Sequence, residues 1–198
     1  MKNIIFIHGA NATCRSFNFI VTALRQTLYE TEFHFFNYNH RNGFDSNYKK
    51  MLKSLDELEG DCMIVAHSMG GIYAMHLYND RKDKITNVVS LATPFNGVSS
   101  ALFLRWLFPL SRLLADSSPF SYPIAKLNRI KVEIPWTQIV TTSGDQPWVS
   151  LLCRNDGVVT RQSIRARKDI SYVQSHSNHY EVLSDQSTID TIIDSLWR

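Results

Sequence analysis

Cys62-Met63-Ile64-Val65-Ala66 runs through His67 and Ser68 straight into Met69-Gly70-Gly71. Five consecutive apolar residues are the pattern of a strand buried on both faces of a parallel sheet. Met69 to Tyr78 reads as a helix. A serine between the two occupies a tight strand-to-helix turn, which lifts its hydroxyl out of the sheet at the carboxyl edge. Such a turn brings backbones close together, so the positions two before and two after the serine must be small. Ala66 and Gly70 stand there, giving the nucleophile-elbow pattern Gly-x-Ser-x-Gly with its first glycine replaced by alanine.

Working outward, Ile4-Ile5-Phe6-Ile7 is a second continuous apolar run, and Val88-Val89-Ser90-Leu91 a third, ended by Pro94 and Gly97. Phe33–Tyr38, Trp136–Thr141 and Ile170–Val173 are strand-like. Helices are predicted around Phe19, Ile20, Ala23, Leu24 and Leu28, over Ser46–Leu58 with Gly60 as its stop, and over Ile189–Trp197. Strands alternating with helices predict an α/β fold with a mostly parallel central sheet and helices on both faces. One segment breaks the alternation. Between Val98 and Ile130, Phe103, Trp106, Leu107, Leu110, Leu113 and Leu114 mark an apolar helix face. Leu104 and Phe108 widen it, and Pro109 divides it.

Composition sets the outer bounds. A chain of 198 residues with 44% hydrophobic and 20% charged residues fits one globular domain, 1–198, carrying an insertion at 98–130. The net charge of +3 comes with no nucleic-acid-binding motif. Cys14, Cys62 and Cys153 form no CxxC pair, and the seven histidines show no metal-ligand spacing, so neither a cofactor nor a metal is predicted. The apolar run at Ile4–Ile7 is too short for an export signal. No stretch reaches the roughly 20 residues of a membrane span. A soluble, cytoplasmic protein is expected.

A serine hydroxyl becomes a nucleophile only when a base takes its proton, and a third group must hold that base. On this type of sheet the partners follow in the order serine, acid, histidine. Asp156, in Arg154-Asn155-Asp156-Gly157-Val158-Val159, and His179, in Ser175-His176-Ser177-Asn178-His179-Tyr180, both fall in loops after strands. Asp145 and His176 compete with them for those positions.

These segments together resemble the α/β-hydrolases, specifically the small bacterial lipases and esterases. Ile5-Phe6-Ile7-His8-Gly9-Ala10 resembles their His-Gly oxyanion loop, Ile64 to Gly71 their elbow, and Leu91-Ala92-Thr93-Pro94-Phe95-Asn96-Gly97 the Thr-Pro-x-x-Gly element after the next strand. The resemblance implies Ser68 as nucleophile, His179 as general base and acid, and Asp156 as its orienting partner. It implies an oxyanion hole made by the backbone N–H groups of Ala10 and Met69. It also implies a cap at 98–130 over an apolar acyl pocket. His67 is read as packing beside the elbow. The expected substrate is a small-molecule or lipid-like ester. A thioester carried by an acidic acyl carrier protein is the alternative, because Arg161, Arg165, Arg167 and Lys168 form a basic cluster. A hydrolase-fold binding protein without activity is a third reading.

Overall fold

Strand β1 (Lys2–Ile7) alternates strictly, Ile5 and Ile7 facing one side and Ile4 and Phe6 the other, all buried. In the computed structural model, which describes residues 2–98, 111–144, 156 and 158–196, that alternation extends across a six-stranded sheet. The other strands are β2 (Thr31–Phe36), β3 (Cys62–His67), β4 (Ile85–Leu91), β5 (Trp136–Thr141) and β6 (Ser171–Ser175). Their order is β2-β1-β3-β4-β5-β6, and every neighbouring pair is parallel. Helices α1 (Asn18–Thr27), α2 (Phe44–Asp56) and α3 (Met69–Asp80) precede two short ones, α4 (Arg112–Ser117) and α5 (Tyr122–Leu127). The last two are α6 (Arg161–Ile164) and α7 (Gln186–Leu196).

Two cores follow from the period-2 alternation of the strands. Ile5, Ile7, Ile64, Ala66 and Val88 pack with Met51 and Leu55 of α2, with α3, and with Ile124 and Leu127 of α5. Ile4, Phe6, Met63, Val65, Val89 and Leu91 pack with Ile20 and Leu24 of α1 and Ile189 and Ile192 of α7. Both faces of the sheet are therefore covered, and α3, lying in the middle, is buried over most of its length. Among the described residues, no helix is long and apolar enough to cross a membrane.

Where β2 and α2 differ in bounds from the sequence reading, a long-range partner is the cause, and at α7 a local cap is. β2 starts two residues earlier than expected and ends at Phe36, because it pairs residue for residue with β1 from Lys2–Thr31 to Ile7–Phe36. Tyr38 leaves the sheet and stacks on His8, ring centroids 4.3 Å apart. Helix α2 starts at Phe44 rather than Ser46. Gly43 turns there with φ +77°, and the Asp116 carboxylate accepts the Phe44 N–H at 2.9 Å. That cap comes from 72 residues away. Helix α7 begins at Gln186, three residues before the expected Ile189, because Asp185 accepts the Ser187 N–H at 3.0 Å.

The apolar stripe at 103–110 read as a cap helix lies outside the described residues. The described part of the insertion, Val98 and 111–130, is fastened to the body. The Val98 N–H donates to the Ser117 carbonyl at 2.8 Å, Asp116 caps α2, and His76 of α3 bonds the Pro123 carbonyl at 2.9 Å. Ile124 and Leu127 are fully buried against α3. Helix α4 carries Leu113 and Leu114, the end of the expected apolar helix face, whereas α5 falls where a loop was expected, since six residues are too few to show a helical period.

Candidate active site

The elbow forms where β3 meets α3. Ser68 has φ +51° and ψ −122°, a conformation that costs a non-glycine residue about 1–3 kcal/mol and persists only where its surroundings enforce it. Here the Ser68 N–H is held by the Leu91 carbonyl at 2.8 Å, and its own carbonyl accepts the Gly71 N–H at 3.0 Å. The loop after β1 crosses directly over the turn. A Cβ on Gly9 would lie 2.8 Å from His67 Nδ1 and 3.1 Å from Ser68 Cβ, so only glycine passes there without displacement.

His179 reaches this turn from the loop after β6. Its Nδ1 lies 2.8 Å from Asp156 Oδ2 and its Nε2 3.1 Å from Ser68 Oγ. A carboxylate only accepts, so Nδ1 carries the proton and Nε2 of the neutral ring offers its lone pair to the serine hydroxyl. Asp156 Oδ2 also accepts the Thr141 hydroxyl at 2.6 Å. Oδ1 accepts the N–H groups of Val158 at 3.1 Å and Val159 at 2.8 Å. Burial pushes the Asp156 carboxyl up, but these donors, His179 foremost, outweigh it and hold the group below the usual carboxylate range. Exposure rises along the chain of three: 1% for Asp156, 3% for His179 and 9% for Ser68. The serine is the group that meets solvent.

The histidine loop has its own braces. Asn178 Oδ1 accepts the Tyr180 and Glu181 N–H groups, and Glu181 Oε2 accepts the Asn178 N–H in return. That reciprocal arrangement is a capping box closed around the loop. Ser175 and Ser177 both donate to Asp185 Oδ2 just before it. Neither Thr141 nor these braces was legible as part of the site. Only the Asn-x-x-Glu spacing carried a usable signal.

Two backbone donors stand near the serine. Met69 opens α3, so its N–H is one of the first-turn donors that a helix cannot satisfy itself. Ala10 lies in the crossing loop, followed by Asn11 at φ +56°. Neither N–H has an acceptor among the described residues. His8 fixes the base of that loop: its Nδ1 bonds the Gly9 carbonyl at 2.7 Å, and its Nε2 accepts the Tyr38 N–H at 3.1 Å.

The competing positions fare differently. His176 is exposed, and its backbone carbonyl accepts the Ser143 hydroxyl. Asp145 lies outside the described residues. The basic cluster is split, because two of its four cations have inward partners while Arg165 and Lys168 are exposed. Arg167 pairs with Asp169 at 2.6 Å and donates to the Leu127 and Ile130 carbonyls, while Arg161 donates to Thr142 O. Among the described residues no group of three His, Cys, Asp or Glu side chains could hold a metal. A cavity of about 720 Å³ lined by Lys2, Thr27–Thr31, Gly60 and Asp61 opens at the amino ends of the strands, the edge opposite Ser68.

Histidine burial makes the site acid-sensitive. Burial first, and then the neighbouring His179, pull the His67 imidazole down to about 3, and burial lowers His8 and His76 in the same direction. The unfolded chain binds these protons near 6.5 while the folded one resists them. The stability held by neutral His67 is thus complete above about pH 6.5 and drains as pH falls toward 3. For His67 alone the drain is on the order of 4 kcal/mol. Denaturant unfolding measured from pH 7 to 4 should show stability falling steeply, with a shallower slope in His67→Gln. Equal slopes in the two proteins would contradict this assignment.

A model of the alpha/beta hydrolase family matches residues 4–176, and the chain belongs to that family. No curated protein matches the sequence. Among solved structures the chain resembles the lipase BlEst2 of Bacillus licheniformis, with a TM-score of 0.72 at 13% identity, over 97% of this chain and 90% of that one. It resembles a metagenomic carboxyl esterase, MGS0156, with a TM-score of 0.72 at 16% identity, over 89% of this chain and 64% of that one. Alpha/beta hydrolase domain-containing protein 10 from mouse gives 0.64 at 18% identity, over 98% and 87%. At these identities the likeness is one of fold.

Proposed function

We propose that this protein is a serine hydrolase cleaving carboxylic esters, with Ser68 as nucleophile, His179 as general base and acid, and Asp156 as its orienting partner. The observation that carries the reading is the continuous line from Ser68 Oγ through His179 Nε2 and Nδ1 to Asp156 Oδ2, at 3.1 and 2.8 Å. His179 Nε2 takes the hydroxyl proton as Oγ attacks the ester carbonyl. The tetrahedral oxyanion is received by the Ala10 and Met69 N–H groups, each worth a few kcal/mol of transition-state stabilisation. The imidazolium returns its proton to the leaving alcohol, and an acyl group stays on Ser68. Water, deprotonated by the same Nε2, then releases the acid.

The fold relatives named as a lipase and a carboxyl esterase support an ester as substrate. The apolar stripe from Phe103 to Leu114, within the insertion at 98–130 read as a cap, supports a greasy acyl part. A cytoplasmic setting fits the free thiols of Cys14 and Cys62. The alternative of an acyl carrier protein substrate loses its footing, since Arg161 and Arg167 are committed internally. A binding protein without activity has no need of a base aligned on a strained serine.

Hydrolysis of p-nitrophenyl esters from acetate to palmitate tests the proposal, alongside labelling by a fluorophosphonate. Turnover with an optimum beyond acetate, and stoichiometric labelling, are expected. A folded protein that neither labels nor hydrolyses any ester would overturn it.

A further inference from the structure

His179 has two backbone polar groups, and each is held by a different part of the site. Its N–H donates to the Asp156 carbonyl at 3.0 Å. Its carbonyl lies 2.9 Å from His67 Nε2, on the residue that precedes Ser68. We propose that His67 is a positioning residue: its Nε2–H clamps the His179 carbonyl, so that the base is registered on the nucleophile through the backbone as well as through its own ring. This inference rests on the serine-hydrolase reading above.

The placement follows from strand alternation. Met63, Val65 and His67 point to the same face of β3, the face that also receives Val182 and Leu183 just beyond His179. His67 is therefore delivered beneath the histidine loop, 2% exposed, its ring centroid 4.9 Å from that of His179. A carbonyl can only accept, so Nε2 carries the proton and Nδ1 is a bare acceptor. Nδ1 has no partner among the described residues. Burying an unpaired acceptor is costly, and a plain packing role would be filled better by an apolar side chain. What the imidazole supplies is a rigid, neutral N–H at the distance the His179 carbonyl requires. A lysine would supply a donor only by adding a buried cation beside the forming imidazolium. With His67 in place, the 111-residue separation of Ser68 and His179 is bridged twice, by Ser68 Oγ and by its neighbour's ring.

Errors of about 1 Å in placing catalytic groups cost on the order of 100-fold in rate. His67→Phe keeps the ring and removes the donor, whereas His67→Gln places an amide N–H close to the position of Nε2. Below the melting temperature, the Phe variant should lose about 10- to 100-fold in kcat with KM changed less than about 2-fold. The Gln variant should stay within about 3-fold of wild type. The low-field proton NMR signal of the His179 Nδ1–H bound to Asp156 should persist in the Gln variant and broaden in the Phe variant. Should the Phe variant not fold, His67→Asn, whose amide is too short to reach the carbonyl, is expected to behave as His67→Phe. Wild-type kcat and an unbroadened signal without the donor would overturn the proposal. So would equal losses in the Phe and Gln variants, or a loss confined to KM or melting temperature. If the wild-type protein hydrolyses no ester, the functional reading falls, and the low-field proton still decides whether His67 positions His179.

Discussion

Ser68→Ala should lower kcat/KM for every ester that the protein cleaves by about 10⁴- to 10⁶-fold and abolish fluorophosphonate labelling, with no loss of melting temperature. The size of the effect follows from what disappears. Without Oγ there is no acyl-enzyme, and water must attack directly from a position that no group holds. The donors at Ala10 and Met69 remain, so a residue of catalysis above the uncatalysed rate persists. Stability is spared because Oγ accounts for little of what holds the elbow. The Ser68 N–H still bonds the Leu91 carbonyl, and the strain at φ +51° is as large for alanine as for serine. Ser68→Gly, which relieves that strain, should melt higher than either. A Ser68→Ala protein retaining more than about 1% of wild-type turnover would place the nucleophile elsewhere.

The elbow was legible because its signal is local. An apolar strand, a serine and small residues at fixed offsets are read within ten positions, and β3 and α3 form around them. β5 was legible for the same reason, as a bounded segment rich in aromatic and β-branched residues from Trp136 to Thr141. Chain order nominated Asp156 and His179, and the fold brings them into one hydrogen-bonded line with Ser68. What escaped the sequence is what depends on a distant partner. Asp116 starts α2 from 72 residues away, Thr141 donates to Asp156 from 15 residues away, and His67 reaches the His179 carbonyl over 112 residues. No propensity or spacing encodes those contacts, which exist only once the strands are stacked in the order β1, β3, β4, β5. The arginine cluster shows the opposite failure. Four neighbouring cations read as a surface for an acidic carrier, yet Arg167 lies with its guanidinium 6.0 Å from the Phe95 ring and its donors on the Leu127 and Ile130 carbonyls. Once elements pack around a side chain, linear charge density no longer describes its surface.

Gly70→Ala should be the most damaging conservative substitution in the chain, costing about 3 kcal/mol or more, or roughly 6–12 °C of melting temperature. Alanine favours a helix over glycine by about 1 kcal/mol, so local propensity argues the other way. Space decides. A Cβ on Gly70 would overlap the Ile7 carbonyl oxygen and lie 2.8 Å from the His8 carbonyl oxygen. Both are backbone atoms, one on the last residue of β1 and one on the residue after it, and β1 is paired on both sides and buried on both faces, so no rotamer change relieves the clash. Either α3 lifts off the sheet, carrying Ser68 with it, or β1 shifts and takes the Gly9–Ala10 loop away from Ser68. Each route separates Ser68 from the proposed oxyanion donors, so the folded fraction should also lose kcat. Gly71 makes the informative contrast, because the nearest atoms to its Cβ position belong to the Thr93 side chain. Thr93→Ala, which removes Oγ1 and Cγ2, should therefore recover part of the loss in Gly71→Ala and none of the loss in Gly70→Ala. Thermal unfolding of the two singles and the two doubles measures that coupling directly. If Gly70→Ala melts within about 2 °C of wild type, α3 is not seated on β1 as described, and the route by which this sequence brings its serine to the sheet edge must be redrawn.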